Sequence, residues 1–204
     1  MKFYEKKILP HLIDSFCSSS PTTKQRQKII PKASGDILEI GLGSGLNLQF
    51  YNPSKVNKLW GLEPSIEMQA LAKKAQTQTK LKVNFLTMPA EALALEANSI
   101  DTIVLTYVLC TIPDVEKALV QMYKVLKPEG RILFSEHGMA PDKSVQCMQN
   151  VINPVWKKVS GGCHLNRNIP LLLTNAAFQL QEDNRMYIPG FRFAAYNFWG
   201  IATK

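Results

Sequence analysis

The chain has 204 residues and a formal net charge of +8, and 46% of its residues are hydrophobic and 20% are charged. This is the profile of one ordinary globular domain, and it leaves no room for a second catalytic domain. It also excludes a membrane-spanning chain, because the longest strongly apolar uncharged run, residues 102–113, is well short of the ~20 residues that a spanning helix needs. No apolar signal-peptide segment follows residues 1–5, so we expect a cytoplasmic protein.

The first predicted elements are two helices. Residues 3–18 place apolar side chains on one side of an amphipathic helix, and this stripe must cover another part of the protein. A second helix is predicted from Thr23 to Ile30. We therefore expect a single domain over residues 1–204, in which residues 1–34 form an N-terminal helical lid.

Basic residues are concentrated at the start of the chain, where seven of them face only two acids before residue 36. They are Lys2, Lys6, Lys7, Lys24, Arg26, Lys28 and Lys32. Such an arm could steer anionic substrates, lie on an acidic membrane surface or contact nucleic acid. We favour a solvated helix face, because the arm lacks the interleaved aromatic residues of strand-binding surfaces.

A glycine-rich turn follows the first predicted strand, Asp36–Gly41. Three glycines alternate there: Gly41 lets the chain turn sharply, Gly43 lets the backbone approach a ligand, and Gly45 is expected to open the following helix. Glu63 lies 22 residues beyond Gly41 and ends the next apolar run. This is close to the offset at which an acid reaches ribose hydroxyls in a βαβ unit, so the sequence predicts an adenosine-containing cofactor.

The spacing of the glycines indicates which adenosine cofactor binds. A dinucleotide loop reads G-x-G-x-x-G, and its last glycine lets the helix pack tightly under a pyrophosphate. In this chain that position is Leu46, which weakens the dinucleotide interpretation. S-adenosylmethionine carries adenosine but no phosphate, and it needs a backbone platform for its methionine rather than an anion site. The sequence therefore predicts S-adenosylmethionine.

Strands and helices alternate beyond Glu63. The predicted elements are a helix over 65–77 with Ser65 as N-cap, a strand Lys82–Leu86, a strand Ile100–Thr106, a helix from Asp114 to about Pro128, a strand Arg131–Glu136, a helix from Ser144 towards Val159 that is interrupted near Pro154, a helix Asn168–Ala176, and two closing strands, Phe178–Asn184 and Arg192–Thr203. This alternation predicts an α/β protein that binds ligands at the carboxyl ends of its strands. The short link between the last two strands predicts an antiparallel hairpin at one edge.

A series of short motifs is spread from residue 36 to the end of the chain. The motifs are Leu38-Glu39-Ile40-Gly41-Leu42-Gly43-Ser44-Gly45, Gly61-Leu62-Glu63-Pro64, Ala90-Glu91-Ala92-Leu93, Ser99-Ile100-Asp101 and Val125-Leu126-Lys127-Pro128-Glu129-Gly130. With them the chain resembles the class I S-adenosylmethionine-dependent methyltransferases. The resemblance implies a Rossmann-like α/β fold, a seven-stranded mixed sheet in the order 3-2-1-4-5-7-6, with strand 7 antiparallel and helices on both faces.

Further segments resemble the small-molecule branch of that family. They are Tyr107-Val108-Leu109-Cys110-Thr111, Ser135-Glu136-His137, Asn153-Pro154-Val155-Trp156 and Gly161-Gly162-Cys163-His164-Leu165-Asn166-Arg167. This branch includes methyltransferase-like thiol S-methyltransferases, and the chain is also similar to ubiquinone/menaquinone biosynthesis methyltransferases. The implied acceptor is a small molecule: a thiol, a quinol or phenol, or a lipid-like compound.

The resemblance also implies positions for the cofactor. Carried over residue by residue, the methionine end is held by Glu39, Gly41, Gly43 and Gly45, the ribose by Glu63 followed by Pro64, and the adenine by Ala90 and Glu91, while Thr106 and Tyr107 line the methyl-transfer face. One departure from the family pattern is Pro89, which stands where many relatives have an acid that accepts the adenine amino group. Backbone groups or Glu91 must take over that contact.

Methyl transfer is an in-line displacement, so positioning alone removes roughly 7–11 kcal/mol of the barrier. An acceptor thiol or phenol must still lose its proton. His137 is the best-placed general base after strand five, although His11 and His164 compete with it and a structural histidine at a strand end is an alternative. Tyr107 is a second catalytic candidate.

The four cysteines, Cys17, Cys110, Cys147 and Cys163, are scattered and contain no C-x-x-C pair. The sequence therefore predicts neither a disulfide framework nor a metal site, and Cys110 is interpreted as a buried structural thiol. Apolar residues in 138–176 indicate an apolar acceptor, although core packing explains them equally well. Two alternatives stay open: a nucleic-acid methyltransferase that uses the basic arm, and a cofactor-binding protein without turnover.

Overall fold

The structure is a computed structural model that describes residues 9–204, except for the side chains of residues 11 and 12. The helices are α1 Leu9–Cys17, α2 Ser20–Ile29, α3 Ile66–Gln76, α4 Val115–Val125, α5 Lys143–Val159 and α6 Ile169–Asn175. The strands are β1 Gly35–Ile40, β2 Val56–Leu62, β3 Val83–Leu86, β4 Ile100–Thr106, β5 Leu126–His137, β6 Gln179–Tyr187 and β7 Tyr196–Thr203. The part of the first predicted helix before residue 9 lies outside the described residues.

All seven strands form one sheet in the order β3-β2-β1-β4-β5-β7-β6. The first five strands pair in parallel, and β7 pairs antiparallel with both β5 and β6. The predicted Rossmann-like topology is confirmed, as is the closing hairpin. In the register, Ile40 is opposite Leu62 on one side and Leu105 on the other. The carboxyl ends of β1, β2 and β4 therefore lie side by side.

The sheet is covered on both faces because its central strands are apolar on both sides. Ile103 and Leu105 of β4 belong to one buried cluster, which the apolar face of α4 completes. Val104 belongs to a second cluster on the opposite face, with Ile37 and the residues that follow α2. Helices cover both faces of the sheet, so a ligand cleft is expected at the carboxyl ends of the strands.

Two predicted features of the helices are wrong. No α-helix opens at Gly45; instead the chain makes short 3₁₀ turns at Leu48–Phe50 and Pro53–Lys55 before it enters β2. The expected contribution of a helix N-terminus to the glycine turn is therefore absent from this segment. Pro154 does not interrupt α5, because Pro154 and Asn150, whose carbonyl loses its helical partner, both lie on the exposed side of that helix where water can solvate it.

The largest differences between the predicted and observed strand boundaries are at the starts of β5 and β7. β5 begins at Leu126 rather than at Arg131, because the residues after α4 pair with β4 through an irregular register instead of forming a separate turn. β7 begins at Tyr196 rather than at Arg192. Within residues 9–204, no helix combines the length and the apolar character needed to cross a bilayer.

Candidate active site

A cavity of about 530 Å³ lies at the carboxyl ends of β1, β2 and β4. A volume of this size suits a small-molecule ligand. Eight of the residues predicted as site residues line it: Gly41, Gly43, Glu63, Pro64, Ala90, Glu91, Thr106 and Tyr107. These predicted residues are therefore brought together in one place, and α1, Arg26 of α2, Met68, the segment Thr111–Pro113 and Gly161 contribute to the rest of the wall.

The glycine turn is held by Glu63. Its Oε2 accepts a hydrogen bond from the backbone N–H of Gly43 at 3.0 Å, and its Oε1 accepts one from the N–H of Ser65 at 2.9 Å. Burial raises the pKa of Glu63, and these two backbone N–H groups oppose that shift. A carboxylate offers about four lone-pair positions, so it can accept a pair of ligand hydroxyls as well.

Position 41 needs a glycine because of its backbone conformation and because a side chain would clash there. Its φ is +68°, and a Cβ added there would lie 2.4 Å from Cγ2 of Val108. Gly43 also has a positive φ, of +58°, but the nearest atom to an added Cβ is 3.5 Å away. The first glycine therefore lets the turn pack against the segment after β4, and the second lines the cavity.

Two of the predicted cofactor-binding residues do not line this cavity. Glu39 is 1% exposed, and its carboxylate accepts hydrogen bonds from Asn47 Nδ2 at 2.9 Å and from the Tyr51 hydroxyl at 2.7 Å. Burial raises its pKa to about 7, although those hydrogen bonds oppose the shift. Gly45 packs against α3, where an added Cβ would crowd Ala72. Both residues pack behind the glycine turn, on the side away from the cavity, and do not line it.

Arg26 lies in the cavity wall, and the sequence did not predict it as a site residue. It lines the cavity and is only 5% exposed, so its assignment to a solvated helix face is wrong. Its Nη1 donates to Asn47 Oδ1 and to Thr106 Oγ1, both at 2.8 Å. Its Nε is buried and has no hydrogen-bond partner among the described residues. The buried residues of α2 recur at helical spacing, which is the sequence signal for a buried helix face. Most of them are polar, so this face was not recognised as buried.

Asn47 and Thr106 connect Arg26 to the sheet. Asn47 accepts from Arg26 through Oδ1 and donates through Nδ2 to Glu39 and to Thr106 Oγ1, each at 2.9 Å. Arg26 reaches a carboxylate only through this amide, since the ion pairs found among the described residues do not include it. The cavity therefore has a buried positive charge on its wall.

Tyr107 stands at the boundary between this cavity and a second one. Its φ is +55°, a conformation that non-glycine residues rarely adopt and that is enriched at functional sites. Its hydroxyl donates to Asn197 Oδ1 at 2.7 Å. Burial raises the pKa of this phenol. Because its hydroxyl is hydrogen-bonded to Asn197, Tyr107 presents its ring, and not its oxygen, to the cavities.

The second cavity has a volume of about 310 Å³ and a largely apolar lining. Leu9, Ile13, Cys17, Tyr107 and Thr111 line both cavities, so the two spaces adjoin. The remaining wall comes from the end of α5, from Phe16 and Ala194, and from Cys110, His137 and Cys163. A ligand in the second cavity would therefore lie directly beside a ligand in the first.

His137, Cys110 and Cys163 meet at the wall of the second cavity, and we call them the thiol–imidazole cluster. Their ligand atoms all lie within 4.8 Å of one another, and His137 Nε2 is 3.1 Å from Cys163 Sγ. Hydrogen bonding from Cys110 lowers the pKa of Cys163 to about 4, against the effect of burial and with help from His137. Burial alone would lower the pKa of His137, but the neighbouring Cys163 sulfur raises it.

The structure distinguishes His137 from His164. His137 lines the second cavity and is 7% exposed, whereas His164 lines neither cavity. The side chain of His11 lies outside the described residues. His137 Nδ1 has no partner among the described residues and Nε2 faces a sulfur, so neither nitrogen is used by a backbone carbonyl. The interpretation as a histidine that bonds a carbonyl at a strand end is therefore wrong.

Comparisons with known proteins show which family the chain resembles. The family described as a methyltransferase domain matches residues 38–134. Human thiol S-methyltransferase TMT1B is 34% identical over 77% of this chain and 66% of that protein, and human TMT1A is 27% identical over 85% and 72%. The rat TMT1B match covers 54% of that protein, so the chain spans about half to three quarters of the length of these relatives.

The solved structures that resemble this chain share its fold. A protein of Methanosarcina mazei described as an S-adenosylmethionine-dependent methyltransferase aligns with a TM-score of 0.65 at 22% identity, over 84% of this chain and 92% of that one. An N-methyltransferase of Haemonchus contortus, solved with S-adenosylhomocysteine, aligns with a TM-score of 0.73 at 16% identity, over 99% of this chain and 59% of that one.

Proposed function

Since the chain belongs to the class I S-adenosylmethionine-dependent methyltransferases, we propose that it transfers the methyl group of this cofactor to an apolar small-molecule thiol. The observation that carries the proposal is the pair of adjoining cavities. The first has the glycine turn and the carboxylate that a nucleoside sulfonium needs, and the second is apolar and contains the thiol–imidazole cluster. The three relatives named thiol S-methyltransferase favour sulfur as the acceptor atom.

The cofactor is proposed to lie across the first cavity with its ribose at Glu63 and its adenine at Ala90 and Glu91. Its methionine end then reaches the turn at Gly41 and Gly43. This orientation directs the sulfonium methyl towards Tyr107, which borders the second cavity. An acceptor held there in line with the methyl group can react without a large rearrangement, because its position supplies most of the catalytic effect.

Arg26 is proposed to bind the carboxylate of the cofactor's methionine. A buried guanidinium without a carboxylate in contact is costly, and a bound anion relieves that cost. Nη1 is already committed to Asn47 and Thr106, whereas Nε has no partner among the described residues. Charge-assisted hydrogen bonds of this kind are stronger than neutral ones and fix the orientation of the ligand.

Helix α1 is proposed to act as the lid over both ligands. Leu9, Ile13 and Cys17 line both cavities, Asp14 is hydrogen-bonded to Ser44 in the glycine turn, and the helix approaches the turn at Gly161. Deleting residues 1–18 should raise the Michaelis constant for the acceptor and leave a cooperative thermal transition. Unchanged kinetics would contradict the lid. The role of His137 as general base stays a prediction.

The apolar acceptor is proposed to arrive from a membrane surface on the cytoplasmic side. Val151 and Val155, on one face of α5, are 73% and 66% exposed, and Lys157 and Lys158 flank them. An exposed apolar helix face with nearby lysines suits an interface with anionic lipid. Wild type should sediment with anionic vesicles, and Val151→Ser/Val155→Ser should not; equal sedimentation of both would contradict the contact.

The basic arm gives less support to a nucleic-acid substrate than its composition implied. Arg26 is buried, Lys28 Nζ lies 3.7 Å from the ring centroid of Trp199, and Lys32 pairs with Glu182 at 2.9 Å. These cations already have partners on the protein surface or in its interior. We therefore propose a small-molecule acceptor, and retention on RNA or DNA at moderate salt would contradict this choice.

The acceptor proposal is tested by transfer of a labelled methyl group onto a matched panel. Each scaffold, for example one octyl chain or one arene, is supplied as a thiol, an alcohol or phenol, and an amine, with a quinol added. We expect label in the thiol and stoichiometric release of S-adenosylhomocysteine. Transfer to the phenol or amine instead would contradict the thiol proposal, and tight cofactor binding without product from any acceptor would favour a protein without turnover.

A further inference from the structure

We propose that Cys110, His137 and Cys163 form a mononuclear Zn²⁺ site, whose fourth ligand is the sulfur of the methyl acceptor. One atom from each side chain lies within 4.8 Å of the others, and His137 Nε2 is 3.1 Å from Cys163 Sγ. Tetrahedral zinc with sulfur and nitrogen ligands needs separations of about 3.5–3.8 Å between ligand atoms. The three side chains therefore need to move by about 1 Å or less to close around the metal.

The three ligands come from different segments that the backbone ties together. Cys110 lies in the turn after β4, His137 ends β5, and Cys163 follows α5. The N–H of His164 donates to the carbonyl of Cys110 at 2.8 Å, which fixes the two cysteine segments relative to each other. A metal site requires such a rigid support, because its ligands must be held close to the productive geometry.

The ligand set selects the metal and the type of site. Two thiolates and one imidazole suit zinc, and three protein ligands with one open position are the pattern of catalytic rather than structural zinc. All three side chains line the second cavity, so the open position faces the space proposed for the acceptor. His137 has no backbone partner that would have to be broken when the metal binds.

The metal would activate the acceptor without any change in oxidation state. The thiol R–SH binds zinc as a thiolate, and its proton passes to solvent. The bound sulfur then attacks the methyl carbon, so that a new carbon–sulfur bond forms while the bond from methyl to the sulfonium breaks and leaves neutral S-adenosylhomocysteine. The methylated product is an uncharged thioether that binds zinc weakly and dissociates. This part of the inference rests on the proposed function, whereas metal binding does not.

Metal content is the first test, and it does not depend on activity. The full chain, purified with zinc and then dialysed, should hold one Zn²⁺ per molecule. Co²⁺ in its place should give the intense d–d bands of a tetrahedral site together with thiolate charge-transfer absorption. Cys163→Ser and Cys110→Ser should lower the affinity for the metal by roughly 100-fold or more. Cys147→Ser, at an exposed position of α5, is the matched control and should bind the metal as wild type does.

The outcomes separate the metal site from the methyl transfer. Substoichiometric zinc in folded wild type, or equal metal affinities of Cys163→Ser and Cys147→Ser, would overturn the site. If a variant fails to fold, perturbation of the Co²⁺ spectrum of wild type by an alkyl thiol, and not by the matching alcohol, supports the fourth-ligand role. Stoichiometric zinc with unchanged methyl transfer after chelation would overturn its role towards the acceptor, while bound zinc without transfer to any thiol would overturn the proposed function alone.

Discussion

The Nη1 atom of Arg26 lies 2.8 Å from the hydroxyl oxygen of Thr106, which joins a helix outside the sheet to the end of its central strand. This contact places a buried guanidinium on the wall of the cofactor cavity. This helix precedes the glycine turn in the chain, so a segment N-terminal to the turn contributes a charged side chain to the wall of the cavity.

Removing the charge of Arg26 should weaken cofactor binding. Hydrogen bonds to charged groups are worth about 1.5–3 kcal/mol, so Arg26→Gln should raise the dissociation constant for S-adenosylhomocysteine by roughly 10–100-fold. The loss should vanish for the decarboxylated analogue, which wild type and the variant should bind alike. Calorimetric titration measures both ligands. Lys24→Gln, at an exposed position of the same helix, is the control, and an equal loss for both ligands would contradict the carboxylate contact.

Glu63 should distinguish ligands by their ribose. Glu63→Ala removes the acceptor for the N–H groups of Gly43 and Ser65 and also the proposed partner of the ribose diol, so it should weaken binding of every adenosine ligand. To isolate the ribose contact, we compare S-adenosylhomocysteine with its 2′-deoxy analogue. Wild type should prefer the ribose form by about tenfold and the variant should not. The exposed Glu96→Ala should behave as wild type, and a preference that survives in Glu63→Ala would rule out the contact.

Substitutions at Gly41 and Gly43 should differ in how much stability they cost. Gly41→Ala and Gly43→Ala both force a left-handed conformation on alanine, at about 1–2 kcal/mol each. Only Gly41→Ala adds a clash with Val108, so it should lose about 1–3 kcal/mol more of the free energy of unfolding than Gly43→Ala. Denaturant titration gives both values. Equal losses would mean that the turn is not packed against the segment after β4 as described.

Glu39 should make stability depend on pH. Its pKa is raised from 4.5 to about 7 in the folded state, so the folded protein binds this proton more tightly than the unfolded chain does. The stability that this carboxyl contributes is fully present below pH 4.5 and is lost as the pH rises through about 7, with a total of about 3 kcal/mol. Glu39→Gln removes the titration and keeps a polar group for Asn47 and Tyr51.

The measured quantity is the difference in the free energy of unfolding between Glu39→Gln and wild type. It should shift in favour of the variant as the pH rises from 4.5 to about 7, and it should be flat above that range. The exposed Glu96→Gln should show no such shift relative to wild type. A difference for Glu39→Gln that is constant across the whole range would mean that this carboxyl is not buried with a raised pKa.

The parts of the fold that follow from local patterns were predictable from the sequence. The apolar runs that precede Gly41 and Tyr107 define central strands, and Ser65 and Asp114 accept hydrogen bonds at the starts of α3 and α4 as their N-cap positions indicate. The alternation of elements indicated an α/β protein, and the resemblance to a known family implied the strand order, which the structure confirms. The strands and the N-caps depend on neighbours in sequence, and that is why local patterns predicted them.

The parts that depend on long-range packing were not predictable. Arg26 lies in a segment of polar composition, so only its contacts with Asn47 and Thr106 distinguish it from a solvated lysine. The cysteines of the thiol–imidazole cluster are separated by more than fifty positions and contain no recognisable spacing, so the fold alone brings them together. The helix expected at Gly45 is absent because a short connection with Pro53 leads straight into β2.

The most direct test of the account is a crystal structure of the protein with S-adenosylhomocysteine. We expect the ligand in the cavity at the ends of β1, β2 and β4, with its carboxylate within hydrogen-bonding distance of Arg26, its ribose hydroxyls on Glu63, and its sulfur beside Tyr107 and open to the second cavity. A ligand bound elsewhere, or one that lies in this cavity with its adenine against Arg26, would contradict the proposed arrangement of donor and acceptor.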